Sequence, residues 1–209
     1  MLNKELVPDA FGPTDPSARA RALARQAYGL GKFDEAGRHW LAQGGGAQGP
    51  MDLTVLAEIF AAGGDARARQ SIDALRLLQP AEAEALEARA RHAAGDNAAA
   101  TQHLISAFAM YRRDPWPHRE VFRRALQLAL RIASEDPAQG ALLFEALTAP
   151  FAVRALDMPR LLTRAAIGLR AGAGPLCGAA LAPLEPHVPW DGEFLQSRAA
   201  ALSAPAAAR

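Results

Sequence analysis

Between Arg119 and Ser134 the apolar residues Val121, Phe122, Ala125, Leu128, Ala129 and Ile132 recur at helical spacing, and arginines fill the gaps. One apolar face opposite one charged face predicts an amphipathic helix. The same reading, with Gly and Pro as stops, divides the chain into paired helices. The first pair is Ser17–Leu30 with Phe33–Gln43, and the second is Met51–Ala62 with Asp65–Leu78. The third is Ala81–Ala94 with Asn97–Tyr111, and the fourth is Pro117–Ser134 with Pro137–Thr148. After a break in the rhythm at Pro150–Asp157 comes a fifth pair, Pro159–Ala171 with Pro175–Leu184. A last helix, Asp191–Ser203, would close the array with a face that meets water. Residues 1–16 carry Pro8, Gly12, Pro13 and Pro16 and read as an irregular lead-in, 17–203 as the helical domain, and 204–209 as a frayed tail. Ser17, Asp65 and Asn97 stand where helix N-caps are expected.

The pairs share a finer pattern. Gly31 with Ala36, Gly63 with Ala68 and Gly95 with Ala100 have one internal spacing and follow each other at 32 residues; Gly172 with Cys177 repeats the spacing at another offset. Gly would end one helix and the small residue would let the next pack close against it. A repeat of this length made of helix pairs predicts an all-α, right-handed solenoid of about five units with a C-terminal cap. Composition agrees. Half of the 209 residues are hydrophobic but only 6% are aromatic, and there are five Val and five Ile. Such material favours close-packed helices over strands.

These residues resemble the tetratricopeptide-repeat family. The best match is Gly31-Lys32-Phe33-Asp34-Glu35-Ala36 with Trp40 four residues further on. Gly63, Ala68, Ile72, Leu75 and Pro80 fit the second repeat, and Gly95, Ala100, Leu104 and Ala107 the third. Gly172, Cys177, Leu181, Leu184 and Pro189 fit the fifth. The early Trp of the family motif is missing from every copy, and the fourth unit fits poorly. The resemblance covers residues 17–111 well and 159–190 loosely. It implies a concave groove lined by the first helix of each pair. In that register the groove carries Arg21, Arg25 and Tyr28, then Leu53, Ala57 and Phe60, then Arg89 and His92. This set does not match the Lys/Asn clamp of the chaperone-binding members. A second resemblance rests on Asp114-Pro115-Trp116-Pro117, Pro150-Phe151-Ala152-Val153 and Leu184-Glu185-Pro186-His187-Val188-Pro189-Trp190. These phrases are similar to the helical tail of bacterial spermidine-synthase-like proteins, which would make the chain an appendage of an enzyme whose catalytic part it does not carry.

Charge and reactive residues narrow the function classes. The formal charge is +1, so no strong global field draws nucleic acid or anionic lipid. The lone Cys177 excludes an internal disulfide, and no segment reads as a membrane span, so the chain reads as soluble and cytoplasmic. Gly44–Pro50 is Gly-rich but lacks the Lys-Ser/Thr of a phosphate-binding loop. His39, His92, His103, His118 and His187 show no metal-ligand spacing, and Cys177 reads as a small packing residue. No catalytic residue, metal or cofactor is expected.

The most pointed local signal is Arg112–Ser134, where six arginines face two acids. Arg112, Arg113, Arg119, Arg123 and Arg124 lie around Trp116. The readings stay open between a solvated helix face, a dock for an acidic protein or peptide, and a nucleic-acid contact. The expected function is a non-enzymatic interaction module holding a peptide or protein surface in its groove, with self-association left open.

Overall fold

In a computed structural model the described residues are 15–170 and 175–184, with isolated positions 186, 192, 195, 196 and 199. They form an all-α body of ten helices and one short 3-10 turn. The helices are α1 (Pro16–Gly29), α2 (Phe33–Ala42), α3 (Pro50–Ala62), α4 (Arg67–Arg76) and α5 (Pro80–Ala93). They continue as α6 (Asn97–Tyr111), α7 (Arg119–Glu135), α8 (Pro137–Ala146), α9 (Asp157–Arg170) and α10 (Pro175–Leu181), with the 3-10 turn at Arg154–Leu156. The expected lead-in at 1–14, Gly172, the Cys177 side chain, the tail and most of the expected Asp191–Ser203 helix lie outside the described residues.

Three hairpins turn in one way. Gly31, Gly64 and Gly95 adopt φ of 74°, 66° and 80°, the left-handed region that suits glycine. At each, two hydrogen bonds close the helix end. Gly31 N–H donates to Tyr28 O and Lys32 N–H to Ala27 O; Gly64 and Asp65 donate to Ala61 and Phe60; Gly95 and Asp96 donate to His92 and Arg91. This is the Schellman end, which satisfies carbonyls a helix terminus would leave orphaned. The sequence register pointed to Gly63, but the left-handed residue is Gly64; Gly63 has φ −90°. The helix starts also differ from expectation. The α1 cap is Asp15, whose carboxylate accepts Ser17 N–H (2.9 Å), so Ser17 is inside the helix. The α6 cap is Asp96, accepting Ala99 N–H (2.9 Å), and Asn97 is the first helical residue. An aspartate two positions before Ser17 and one before Asn97 reaches the exposed amides with a charged oxygen, which suits the positive helix end better than the Ser or Asn that follows.

The small residues sit at the helix crossings. Ala36, Ala68 and Ala100 are buried, as are Trp40, Ile72 and Leu104 four residues on. The fourth hairpin reaches the same result without a glycine turn. Asp136 ends α7 by donating its N–H to Ile132 O (2.8 Å) and starts α8 by accepting from Ala138 and Gln139 N–H. Gly140 then lies against Ala133, where a Cβ would stand 3.0 Å from both Ala133 Cα and Cβ. Gly140 and Phe144 thus repeat the small-then-apolar spacing of Ala36 and Trp40.

Each helix packs on the next, and α3, α5, α7 and α9 also pack successively on one another. Helix α5 is central: every residue from Ala81 to Ala88 is buried. One apolar core runs from α3 to α10 and includes the ring cluster Phe108, Tyr111, Phe122 and Phe151. The first hairpin is different. Ala24, Ala27, Tyr28, Ala36 and Trp40 form a separate small core with Val55 of α3. This hairpin is tied to the rest by that apolar contact with α3 and by buried charged contacts.

Candidate functional site

The face formed by α3, α5 and α7 contains a cleft of about 450 Å³. Its floor is made of small and aliphatic residues, among them Ala61, Leu86, Ala125 and Leu128. Its polar lining is Glu58, Arg89, His92, Arg124, Gln127 and Arg131. Helical spacing explains the grouping. Glu58 and Ala61 are three apart on α3, Arg89 and His92 three apart on α5, and Arg124, Gln127 and Arg131 rise along α7.

At the base of the cleft lies a buried charge network. Glu58 is 1% exposed. Its Oε1 accepts from Arg89 Nη1 (2.8 Å), and its Oε2 accepts from Arg124 Nη1 (2.7 Å) and Tyr28 Oη (2.6 Å). Arg124 Nη2 also donates to Tyr28 O (3.1 Å). The Arg124 guanidinium lies 4.6 Å from the Tyr28 ring centre and 5.0 Å from that of Phe33, and Arg89 lies 4.7 Å from Phe33. Cation–π contact of this kind strengthens when water is excluded. Burial, then the Glu58 carboxylate, pushes the Tyr28 hydroxyl well above its ordinary range, so it stays a hydrogen-bond donor. Burial lowers the Arg89 guanidinium from its usual value, against the pull of Glu58. A guanidinium so lowered still carries its charge at neutral pH.

The rim is less committed. His92 Nε2 meets Glu135 Oε2 at 3.0 Å, and this contact holds the Glu135 carboxyl below its usual range. The Arg131 side chain makes no hydrogen bond or ion pair among the described residues, and it is exposed. Three guanidiniums and one carboxylate line the cleft, with Glu135 at its edge, so positive charge remains in excess. The lining contributes no hydroxyl or thiol. Among the described residues no group of three or more His, Cys, Asp or Glu is arranged to hold a metal ion.

The residues expected in the groove are divided by the structure. Arg89 and His92 line the cleft. Tyr28 is 1% exposed and lies beneath it as part of the Glu58 network, so it supports the site and offers no free surface. Arg21 and Arg25 are elsewhere, engaged on the fully buried Asp52: Arg25 Nη2 donates at 2.6 Å and Arg21 Nε stands at 3.7 Å. Arg21 also reaches Gln48 and Gln43, so this pair fastens α1 to α3 and the Gly-rich connection. Phe60 is half-buried under the Arg67 guanidinium, 4.3 Å from its ring centre.

The basic segment is divided too. Arg124 is buried in the network described above, and Arg112 donates to Ala146 O at the end of α8. Arg123 pairs with Glu120 (2.9 Å), which holds that carboxyl below its usual range. Arg113, Trp116 and Arg119 are exposed at the other end of α7 from Arg131. Glu58, Asp52, Phe33 and Gln127 were not singled out in the sequence as site residues, and Arg131 was counted only as one of the six arginines of the basic segment. The available signal was an acid on an otherwise apolar helix face: Glu58 sits between Ala57 and Ile59, and Asp52 before Leu53.

The chain matches no family model, no curated protein and no solved structure.

Proposed function

We propose that the chain is a non-enzymatic interaction module, a right-handed tetratricopeptide-like stack whose concave face binds an acidic segment of a partner protein in the α3–α5–α7 cleft. The observation that carries this reading is the lining itself: among the described residues Arg131 makes no side-chain hydrogen bond or close ion pair, its charge reaching Glu135 only at longer range, Arg89 keeps donors beyond the one given to Glu58, and both stand over an alanine-rich floor. An Asp or Glu of the partner would take charge-assisted hydrogen bonds from Arg131 and Arg89, the strong class of such bonds. Ala61, Ala62, Ala93 and Ala125 leave room for the partner's backbone and apolar side chains to come close. The buried Glu58 network keeps Arg89 and Arg124 from rearranging when the partner arrives, which lowers the ordering cost of binding. The absence of hydroxyl and thiol groups from the lining favours holding over covalent chemistry.

Selection of a random peptide-display library on the immobilised protein tests this. Enriched peptides are expected to carry Asp or Glu beside apolar residues, and to lose binding to Arg131→Glu protein with its helicity intact. Enrichment of basic peptides, or acidic peptides bound equally by Arg131→Glu, would refute it.

A further inference from the structure

The two most exposed large apolar side chains of the described residues, Leu77 and Trp116, share one end of the helix array, while Leu30 (66% exposed) lies at the other. Helices that alternate in direction put the α2–α3, α4–α5 and α6–α7 connections at one end of the stack. That end carries Leu41 (62% exposed), Leu77 (87%), Leu78 (56%) and Trp116 (85%). Two of these connections are joined directly. Glu82, in the first turn of α5, accepts His118 N–H at 2.8 Å, which brings the stretch after Leu78 against the stretch after Trp116. The Trp116 turn is built: Asp114 accepts Trp116 N–H at 2.8 Å, and Pro115 and Pro117 flank the ring. The indole therefore stands in water although its turn is fixed. Around it are the exposed Arg113 and Arg119, and from Arg112 to Arg124 only Asp114 and Glu120 oppose the arginines.

We propose that this end docks on an anionic lipid bilayer surface, with Trp116, Leu77 and Leu78 in the interfacial layer and Arg113 and Arg119 at the headgroup phosphates. Apolar atoms here stand on separate protruding connections, and a soft layer takes them together, where a rigid protein would need a matching pocket for each. Trp settles at the headgroup level because its ring is apolar and its N–H polar. Arginines beside it supply the attraction to anionic headgroups that a single apolar contact lacks. No described helix is long and apolar enough to cross a membrane, so the contact lies on the bilayer.

The test uses the full chain with Trp190→Phe as background, because the remaining Trp40 is only 6% exposed and Trp116 then reports any change in solvent contact. Vesicles of phosphatidylcholine with phosphatidylglycerol are expected to sediment the protein and shift Trp116 emission to the blue, with quenching by brominated lipid. Arg113→Glu/Arg119→Glu is expected to weaken vesicle affinity at least about tenfold, since each basic residue near the surface contributes about 1 kcal/mol. Trp116→Ser/Leu77→Ser, which also removes the reporter, is read by sedimentation and is expected to lower the fraction of protein that sediments with the vesicles. Both variants should keep wild-type helicity, and the double Arg reversal decides alone should the other misfold. Arg131→Glu, in the cleft, should sediment like the wild type, which separates this surface from the peptide site. Absence of binding to the anionic vesicles at low salt, or equal binding by the Arg113→Glu/Arg119→Glu protein, overturns the proposal. So does a dimer, abolished by Trp116→Ser, that forms without any vesicle binding; it would assign the end to a second copy.

Discussion

Removing the Glu58 carboxylate is the sharpest perturbation of this fold. Glu58→Ala leaves Arg124, whose side chain is 8% exposed, without its hydrogen-bonded carboxylate and with only the half-exposed Glu120 carboxylate 3.9 Å away, and strands the Tyr28 hydroxyl and one Arg89 N–H as well. Arg89 is 27% exposed and can turn toward water, so most of the loss falls on Arg124 and Tyr28. Taking one partner from a buried ion pair costs about 3–5 kcal/mol, because the other charge stays desolvated. The damage should be uneven. The first hairpin has its own small core, and Tyr28 joins it to α7 across 96 residues of sequence. Hydrogen exchange should therefore rise first in α1 and α2 and last in α5. Urea unfolding followed by circular dichroism gives the total, and exchange mass spectrometry its location. Glu58→Leu/Arg124→Met removes both charges and should recover most of the loss. A loss below about 1 kcal/mol for Glu58→Ala, or a double variant as unstable as the single, would refute the reasoning from uncompensated charge.

Gly140→Ala should cost about 1–3 kcal/mol, since its Cβ meets the Ala133 backbone 3.0 Å away, and urea melts measure it. Gly31→Ala and Gly95→Ala should each cost about 1–2 kcal/mol through their positive φ, while Gly63→Ala, at φ −90°, should be tolerated; thermal melts separate the two classes. His118 Nδ1 accepts Val121 N–H at the start of α7, and burial holds this imidazole below its usual value of 6.5. The unfolded chain then binds the proton first, so stability is complete above pH 6.5 and falls as pH drops below it toward the folded value. Urea melts at a series of pH values should show this slope in the wild type and a flatter one in His118→Asn.

Hairpin boundaries were legible because Gly and Pro mark them at regular intervals. The third pair shows why: Pro80 starts α5, Gly95 ends the turn, and the apolar residues between keep helical period. The displaced details have local causes. Gly63 and Gly64 are adjacent, and only backbone geometry decides which takes the left-handed φ. Gly140 was overlooked because its hairpin has no turn glycine, so nothing flagged the small residue at the crossing. The site was half legible. Arg89 and His92 were found by register along one helix face, whereas the Glu58 network joins residues 28, 58, 89 and 124, a grouping set by packing between helices far apart in sequence. For the same reason Arg21 and Arg25 looked like groove residues: the sequence shows the charges but not Asp52 beneath them.

The central claim is that an acidic segment lies in the α3–α5–α7 cleft. A photo-crosslinking residue placed at Gln127, exposed on α7 and lining the cleft, tests it directly against one at Leu142, 45% exposed on α8. With an acidic peptide from the display selection as probe, the Gln127 position should crosslink it, an excess of unlabelled peptide should suppress the product, and the Leu142 position should stay unlabelled. Crosslinking from Leu142 with none from Gln127 would place the peptide outside the cleft and contradict the account.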